Sequence, residues 1–309
     1  MIDLTSLSAL RAVADCGSVV AAADALGYTP SAISQQVKRL ERQTGVELLE
    51  RVGRGVILTS SARQLLEAGE RILADLEQIQ ADLHHASGQI SGHVRVVAFS
   101  TAMRGIVAPA MRTLLDAHRD LTVTLSESEP WPSIDRVATG QCDVAVVHSW
   151  GDVPVEIPDH LVSETVAHDV ADVIVPIGHP LAGRASVTPH DLIDERWIAT
   201  PVGTICRQWL RRMHLATGRA PLIAHESLEF ESHVALVEAG LGIALIPRLG
   251  RQVLPAGVAA VAATDPVPTR LVTAVARRSM AASPAISAII EALRDAASTE
   301  FADLVESWR

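Results

Sequence analysis

The sequence predicts an α+β multidomain fold: a small helical head, one long connecting helix, and an α/β body. Three observations carry this prediction. Apolar residues recur at helical spacing from Leu4, Leu7, Leu10 and Ala14 onward. A proline-free stretch from Ser60 to Ser87 repeats apolar side chains every seven residues. From His93, short apolar runs alternate with helical segments, which implies a mainly parallel sheet.

The first helix ends at Asp15-Cys16-Gly17-Ser18. Ser18 is a natural N-cap for a short second helix, VVAAADAL, whose alanines let a neighbour approach closely. Gly27-Tyr28 stops it. Thr29 then caps a third helix with Pro30 in its first position, where a missing N–H costs nothing. Ile33, Val37, Leu40 and Thr44 lie on one face of that helix. Ser31, Gln35, Lys38 and Arg42 lie opposite, with Ser34 and Arg39 on the flanks.

Two helices joined by a short glycine-containing turn make a helix-turn-helix. The outward stripe offers donors and acceptors for base edges and cations for phosphates. Val46–Arg51 and Val56–Thr59 flank Gly53-Arg54-Gly55 and read as a hairpin, a wing. Arg51 and Arg54 near its tip can reach backbone phosphate or enter the minor groove. A single polar helix face is usually only solvated; the ordered set of cap, turn, stripe and arginine-tipped hairpin favours duplex DNA.

Charge supports that placement. The formal net charge is -10, yet residues 1–60 balance six basic side chains (Arg11, Lys38, Arg39, Arg42, Arg51, Arg54) against six acidic ones. The remainder carries the whole deficit, so a polyanion is met at this end only. Aromatics make up 3% of the residues, so the core rests on Ala, Val, Leu and Ile. Cys16, Cys142 and Cys206 form no CxxC and no metal spacing, which suits a reducing cytoplasm. No charged n-region precedes an apolar run at MIDLTSLSAL, and no apolar run reaches ~18 residues, so neither signal peptide nor membrane span is expected.

In the connecting helix Leu65, Ile72 and Ile79 form one heptad row, and Ala62, Gly69, Leu76 and Leu83 the other. Together they make an a/d seam for a two-stranded coiled coil. A dimer would set two reading helices on two half-sites. Ser87-Gly88 and Ser91-Gly92 end the helix.

In the body, strands are expected at 93–99, 121–125, 143–148, 172–176, 196–199, 223–225, 243–246 and 271–276, and helices at 102–117, 133–139, 204–217, 230–239 and 284–296. Ligands in such folds bind at the carboxyl ends of strands, where helix amino-termini favour anions. That position selects Ser100 and Thr101, Ser128 and Glu129, His148 and Ser149, and Pro201, Val202, Gly203 and Thr204. Two hydroxyls at a helix start with His148 opposite suit a small carboxylate. Ser and Thr are also common caps with no ligand.

Residues 1–66 closely resemble the winged helix-turn-helix of LysR-type transcriptional regulators. The resemblance rests on Leu10, Val13, Gly17-Ser18, Ala22-Ala23, Leu26, Thr29-Pro30-Ser31-Ala32-Ile33-Ser34, Gln36, Leu40-Glu41, Gly45-Val46, Leu48, Arg51 and Leu58-Thr59. Val19 and Leu49 stand where the family usually has phenylalanine, and Ser61-Ala62 replaces Ala-Gly. IGHPLA, GQCDVAVV and EAGLGIALIP extend a looser likeness into the body.

The resemblance implies that Pro30, Ser31, Ser34, Gln35, Lys38 and Arg39 lie in or beside the major groove, with Ser18, Thr29 and Arg42 close by. It places Arg51 and Arg54 at the backbone or minor groove. It also implies a periplasmic-binding-protein-like effector domain of two subdomains. The expected divisions are a head at 1–59, a dimerising linker helix at 60–88, and an effector domain at 89–309. Within the last, 89–162 plus 267–309 form one subdomain and 163–266 the other, with crossings near 161–164 and 265–269. The expected partners are double-stranded DNA, a small-molecule effector and further copies of the chain, as a homodimer through the linker helix and a homotetramer; no cofactor or metal is called for.

Competing readings are weaker. Cys206 sits near a helix start beside Arg207, conditions that lower a thiol pKa. Family members that sense peroxide use a second cysteine a few residues later, and this chain has none. GxSxG, HExxH and P-loop motifs are missing, and GLGIAL lacks the third glycine of a dinucleotide fingerprint, so no enzyme is expected. A solute-binding protein without DNA function conflicts with the first sixty residues.

Overall fold

The computed structural model describes residues 2–52, 55–87 and 89–306. The chain divides into two compact units between Gln80 and Ala81. In the first, α1 (Leu4–Cys16), α2 (Val19–Leu26) and α3 (Pro30–Thr44) are followed by the strands β1 (Leu49–Val52) and β2 (Gly55–Leu58) and by α4 (Ser60–Ser87). The expected caps form. Ser18 Oγ accepts from the Ala21 N–H at 3.1 Å, and Thr29 Oγ1 from that of Ala32 at 3.2 Å. Ile33, Val37 and Leu40 are buried against Leu7, Leu10 and Val13 of α1 and Ala22 and Ala23 of α2. Each such apolar side chain contributes about 1.5–3 kcal/mol.

The hairpin pairs Leu49 with Leu58 and Val52 with Gly55. It starts later than Val46 because residues 45–47 form the turn that closes α3. There the Gly45 N–H bonds the Glu41 carbonyl, and Glu41 Oε1 accepts from the Leu48 N–H at 3.0 Å. The start of α4 belongs to the head. Ala62 and Leu66 join its core, and a Cβ on Gly69 would lie 2.2 Å from Leu7 Cδ2. Only a glycine permits that approach. The first turns of the expected seam are therefore spent inside the head. Further along, Ile72, Leu76, Ile79 and Leu83 are exposed.

The second unit holds β3 (Gly92–Ala98), α5 (Ser100–Ala102), α6 (Ala108–Ala117), β4 (Leu121–Glu127), α7 (Pro130–Ala138), β5 (Val144–Trp150) and β6 (Leu161–Pro176). There follow β7 (Ser186–Val187), β8 (Arg196–Ala199), α8 (Ile205–Met213), β9 (Leu222–Glu226), α9 (Phe230–Glu238), β10 (Ile243–Pro247), β11 (Val258–Ala263), β12 (Thr269–Arg277) and α10 (Pro284–Glu306). The expected helix 102–117 is interrupted by a π-helical turn, Met103–Val107, in which the Ala108 N–H reaches back to the Met103 carbonyl. Pro109 has no N–H to continue an α-helical ladder, which accounts for the break.

One continuous path of strands runs β4-β3-β5-β12-β6-β10-β8-β9, with β11 and β7 on the other side of β6. The lobes differ from the mainly parallel expectation. Neighbours within each lobe are parallel, but β6 and β12, which pass between the lobes, run antiparallel to their partners. The first crossing is also later than residues 161–164. β6 pairs with β12 through Val170 and with β10 from Ala171, so the chain changes lobes in mid-strand. A single strand of 16 residues does what two strands and a linker would otherwise do.

The central strands β5 and β10 are covered on both faces, so their sequences are mostly apolar. In the first lobe, Val94, Val96 and Val146 pack with Ile106, Met111, Ile289 and Leu293. Val97, Ala145 and Val147 pack on Ile134 and Val137 of α7 on the opposite face. The lobes are pinned where the loop after β10 meets α5. Leu249 enters the core of the first lobe, and a Cβ on Gly250, at φ 64°, would lie 2.2 Å from the Thr101 carbonyl oxygen. No single helix among the described residues is long and apolar enough to cross a membrane.

Candidate DNA-binding face and effector cleft

The polar face of α3 is open. Pro30, Ser31, Gln35, Lys38, Arg39 and Arg42 are exposed and Ser34 is half-buried. Lys38 makes no ion pair among the described residues. Arg42 Nε instead donates to the Lys38 carbonyl at 3.3 Å, folding back along its own helix. Arg39 lies 3.6 Å from Asp3, a loose exposed pair. An open hollow of about 500 Å³ runs between this face and residues 45–47. Ser18 and Thr29 are committed as caps, so their oxygens position the helices first. Arg51 lies in β1 with its side chain outside the described residues, as is all of Arg54.

The strand ends of the second unit converge on a buried arginine that the sequence reading did not select. Arg270, 2% exposed, donates from Nε to Asp169 Oδ2 at 2.7 Å and from Nη2 to Thr101 Oγ1 at 2.6 Å. Its guanidinium also lies 5.0 Å from the centre of the Phe99 ring and 5.7 Å from that of Trp150. Trp150 stacks on Trp209 of α8 at 6.1 Å. The indole N–H groups of both are buried without a protein partner. The remaining hollow beside Trp150, Thr200, Cys206 and His233 is about 10 Å³, room for about one water.

Three comparisons with known proteins bear on this arrangement. Residues 4–63 match the family described as "Bacterial regulatory helix-turn-helix protein, lysR family", and residues 87–298 match "LysR substrate binding domain". The chain belongs to the LysR family of transcriptional regulators. A probable regulator named LrrA from Synechococcus elongatus is 26% identical over 96% of this chain and 97% of its own. The octopine catabolism/uptake operon regulatory protein OccR of Rhizobium meliloti is 32% identical over 79% of each chain. Among solved structures, a full-length OxyR from Pseudomonas aeruginosa shares the fold with a TM-score of 0.65, at 20% identity over 95% of this chain and 98% of that one.

In this LysR-type regulator the expected cleft residues divide. Ser100, at the start of α5, and Ser128 and Glu129, after β4, are half-buried, and Glu129 lies within electrostatic reach of Arg270. Burial, then repulsion from Glu127, raises the Glu129 carboxyl, while Arg270 opposes the shift. Thr101 is buried and its hydroxyl is occupied by Arg270.

His148 and Ser149 cannot serve together, because consecutive residues of β5 point to opposite faces. His148 is buried with its ring edge-on to Phe99 at 4.5 Å. Burial, aided by Arg270, holds its pKa well below the usual imidazole value, so it offers no positive charge to a carboxylate. Thr204 caps α8, accepting from the Arg207 N–H at 3.3 Å and lying 2.7 Å from Thr200 Oγ1. Pro201 is half-buried, whereas Val202 and Gly203 face outward.

The same geometry argues against the redox reading. Arg207 is engaged by the Thr200 carbonyl and Glu226. The Cys206 thiol packs among apolar neighbours, and burial pushes its pKa up to about 11. It stays protonated at neutral pH and lacks the character of a peroxide-reactive thiolate. The missed residues left one signal in the sequence: Arg270 is a charge at the head of the mostly apolar run LVTAVA, and a charge drawn into a core needs a partner there.

Proposed function

We propose that α3 reads the major groove of duplex DNA through Gln35, Ser31 and Ser34, with Pro30 at its entry and Lys38, Arg39 and Arg42 at flanking phosphates. Arg51 and Arg54 are assigned to the backbone or minor groove beside it. The observation that carries this is the sidedness of α3: Ile33, Val37 and Leu40 are buried while Gln35 and Lys38 stand free. Lys38→Ala is expected to weaken binding to every duplex alike and to reduce the slope of log K against log salt by about one. Gel-shift titrations at several salt concentrations check it; an unchanged slope removes Lys38 from the phosphate contacts.

The second unit is assigned a small organic acid as effector, held near Ser100, Ser128 and Glu129 with Arg270 supplying positive charge behind Thr101. Burial beside the site raises the Glu129 carboxyl, which lessens its repulsion of an anionic ligand. Trp150 and Trp209 would part to admit it. The chain then acts in the cytoplasm as a dimer joined along α4, with effector binding shifting the balance between two arrangements. A thermal-shift screen with organic acids tests the cleft. Ser100→Ala is expected to abolish the shift produced by a hit. A full shift in that variant removes Ser100 from the site.

A further inference from the structure

A second opening in the effector unit lies away from the cleft residues. It is a crevice of about 540 Å³ between the loop after β5 and the far end of α8. Arg211, Arg212 and Arg219 line it, with Asp152 as the one carboxylate among the lining residues. Asp194 pairs with Arg219 from outside the lining, so three guanidiniums against two carboxylates leave a surplus of one positive charge, on a chain whose formal charge is -10. This is a local inversion of the protein's field, and small anions collect where such an inversion meets a concave wall.

The charges are not equally committed. Asp152 already accepts from Arg212 Nε at 2.6 Å. Arg219 meets Asp194 at 2.8 Å, but both side chains are more than half exposed, and such pairs exchange partners readily. Arg211 is exposed and pairs with no carboxylate among the described residues. The walls are apolar: Val153 is buried beneath the opening, and Leu215 stands 68% exposed at its edge. Two available guanidiniums beside an apolar wall suit a charged head on a short carbon frame.

We propose that this crevice binds a small organic dianion, a phosphomonoester or a dicarboxylate, through Arg211 and Arg219. The ligand is held by the second lobe through Arg211 and Arg219, while Val153 and Pro154, after β5 of the first lobe, wall the crevice beside it. Its binding is therefore coupled to the lobes' relative arrangement, and it acts separately from an effector in the cleft.

Titration calorimetry of the full-length protein with inorganic phosphate and with succinate, at constant ionic strength, tests the proposal. The expected result is saturable binding of at least one probe, weakened about tenfold by each of Arg211→Ser and Arg219→Ser. Arg119→Ser makes the same charge change at an exposed site on the first lobe and is expected to leave the titration unchanged. Phosphate binding alone selects the phosphomonoester, and succinate alone the dicarboxylate. Linear, non-saturating heats, or equal affinity in all three variants, overturn the proposal. This outcome is independent of the cleft reading, because no cleft residue lines the crevice.

Discussion

Asp169→Ala is expected to destabilise the effector-binding unit by roughly 3–5 kcal/mol, the range for breaking a buried ion pair from one side. Asp169 is fully buried. One carboxylate oxygen takes Arg270 Nε at 2.7 Å, and the other takes the N–H groups of Leu249 at 3.0 Å and Val170 at 2.8 Å. Alanine leaves the guanidinium with the Thr101 hydroxyl and two ring faces, too little to replace water. It also releases Leu249, which closes one lobe onto the other.

The double variant Asp169→Leu with Arg270→Met removes both charges and is expected to lose far less than the sum of the single changes. Urea denaturation followed by tryptophan fluorescence reads the loss as a shift in midpoint. A loss below about 1 kcal/mol for Asp169→Ala, the level of an exposed pair, would mean that water reaches Arg270 in solution.

That ion pair marks the limit of what the sequence discloses. The head was legible because its signals are local. Ser18 and Thr29 are caps for residues three positions away, and the stripe on α3 is set by the helical period alone. A reading face carried by one helix comes with its geometry. The cleft is assembled from segments far apart, and Asp169 and Arg270 are separated by 101 positions. Periodicity says nothing about such meetings.

Local rules misled at Cys206, where the neighbouring Arg207 suggested a lowered pKa. Tertiary contacts give that arginine to Glu226 and pack the half-buried Cys206 against the Trp150–Trp209 cluster. They misled again at β6, whose first half carries Glu164, His168 and Asp169 and does not read as a strand. The residues that look like interruptions are the ones that face β12 or hold the crossing. β7 and β11 were missed for a different reason: one is two residues long and the other rich in alanine, so neither has a β-branched pattern to read.

A second large effect is expected at α4. Ile72, Leu76, Ile79 and Leu83 are 55%, 43%, 53% and 65% exposed, at spacings of four, three and four residues. Side chains at that spacing form one stripe, and a stripe of four large aliphatics on an isolated helix has no stabilising role of its own. The head uses the stripe's beginning, through Ala62, Leu66 and Gly69, and leaves the rest uncovered, as the proposed pairing along α4 requires. Ile72→Asp together with Ile79→Asp puts carboxylates at two layers of the paired helices, where each would face its own copy. Sedimentation is expected to show a monomer. The head should keep its helical signal, because its core contacts with α4 lie before the altered positions. Affinity for a two-half-site duplex should then fall by about 10²–10⁴, the advantage that linkage gives to the second contact. Affinity for a single half-site should stay the same, which separates lost pairing from a damaged head. A double variant that remains dimeric and keeps its affinity for the full site would move the dimer contact off α4, and the exposed stripe would then have to cover some other surface.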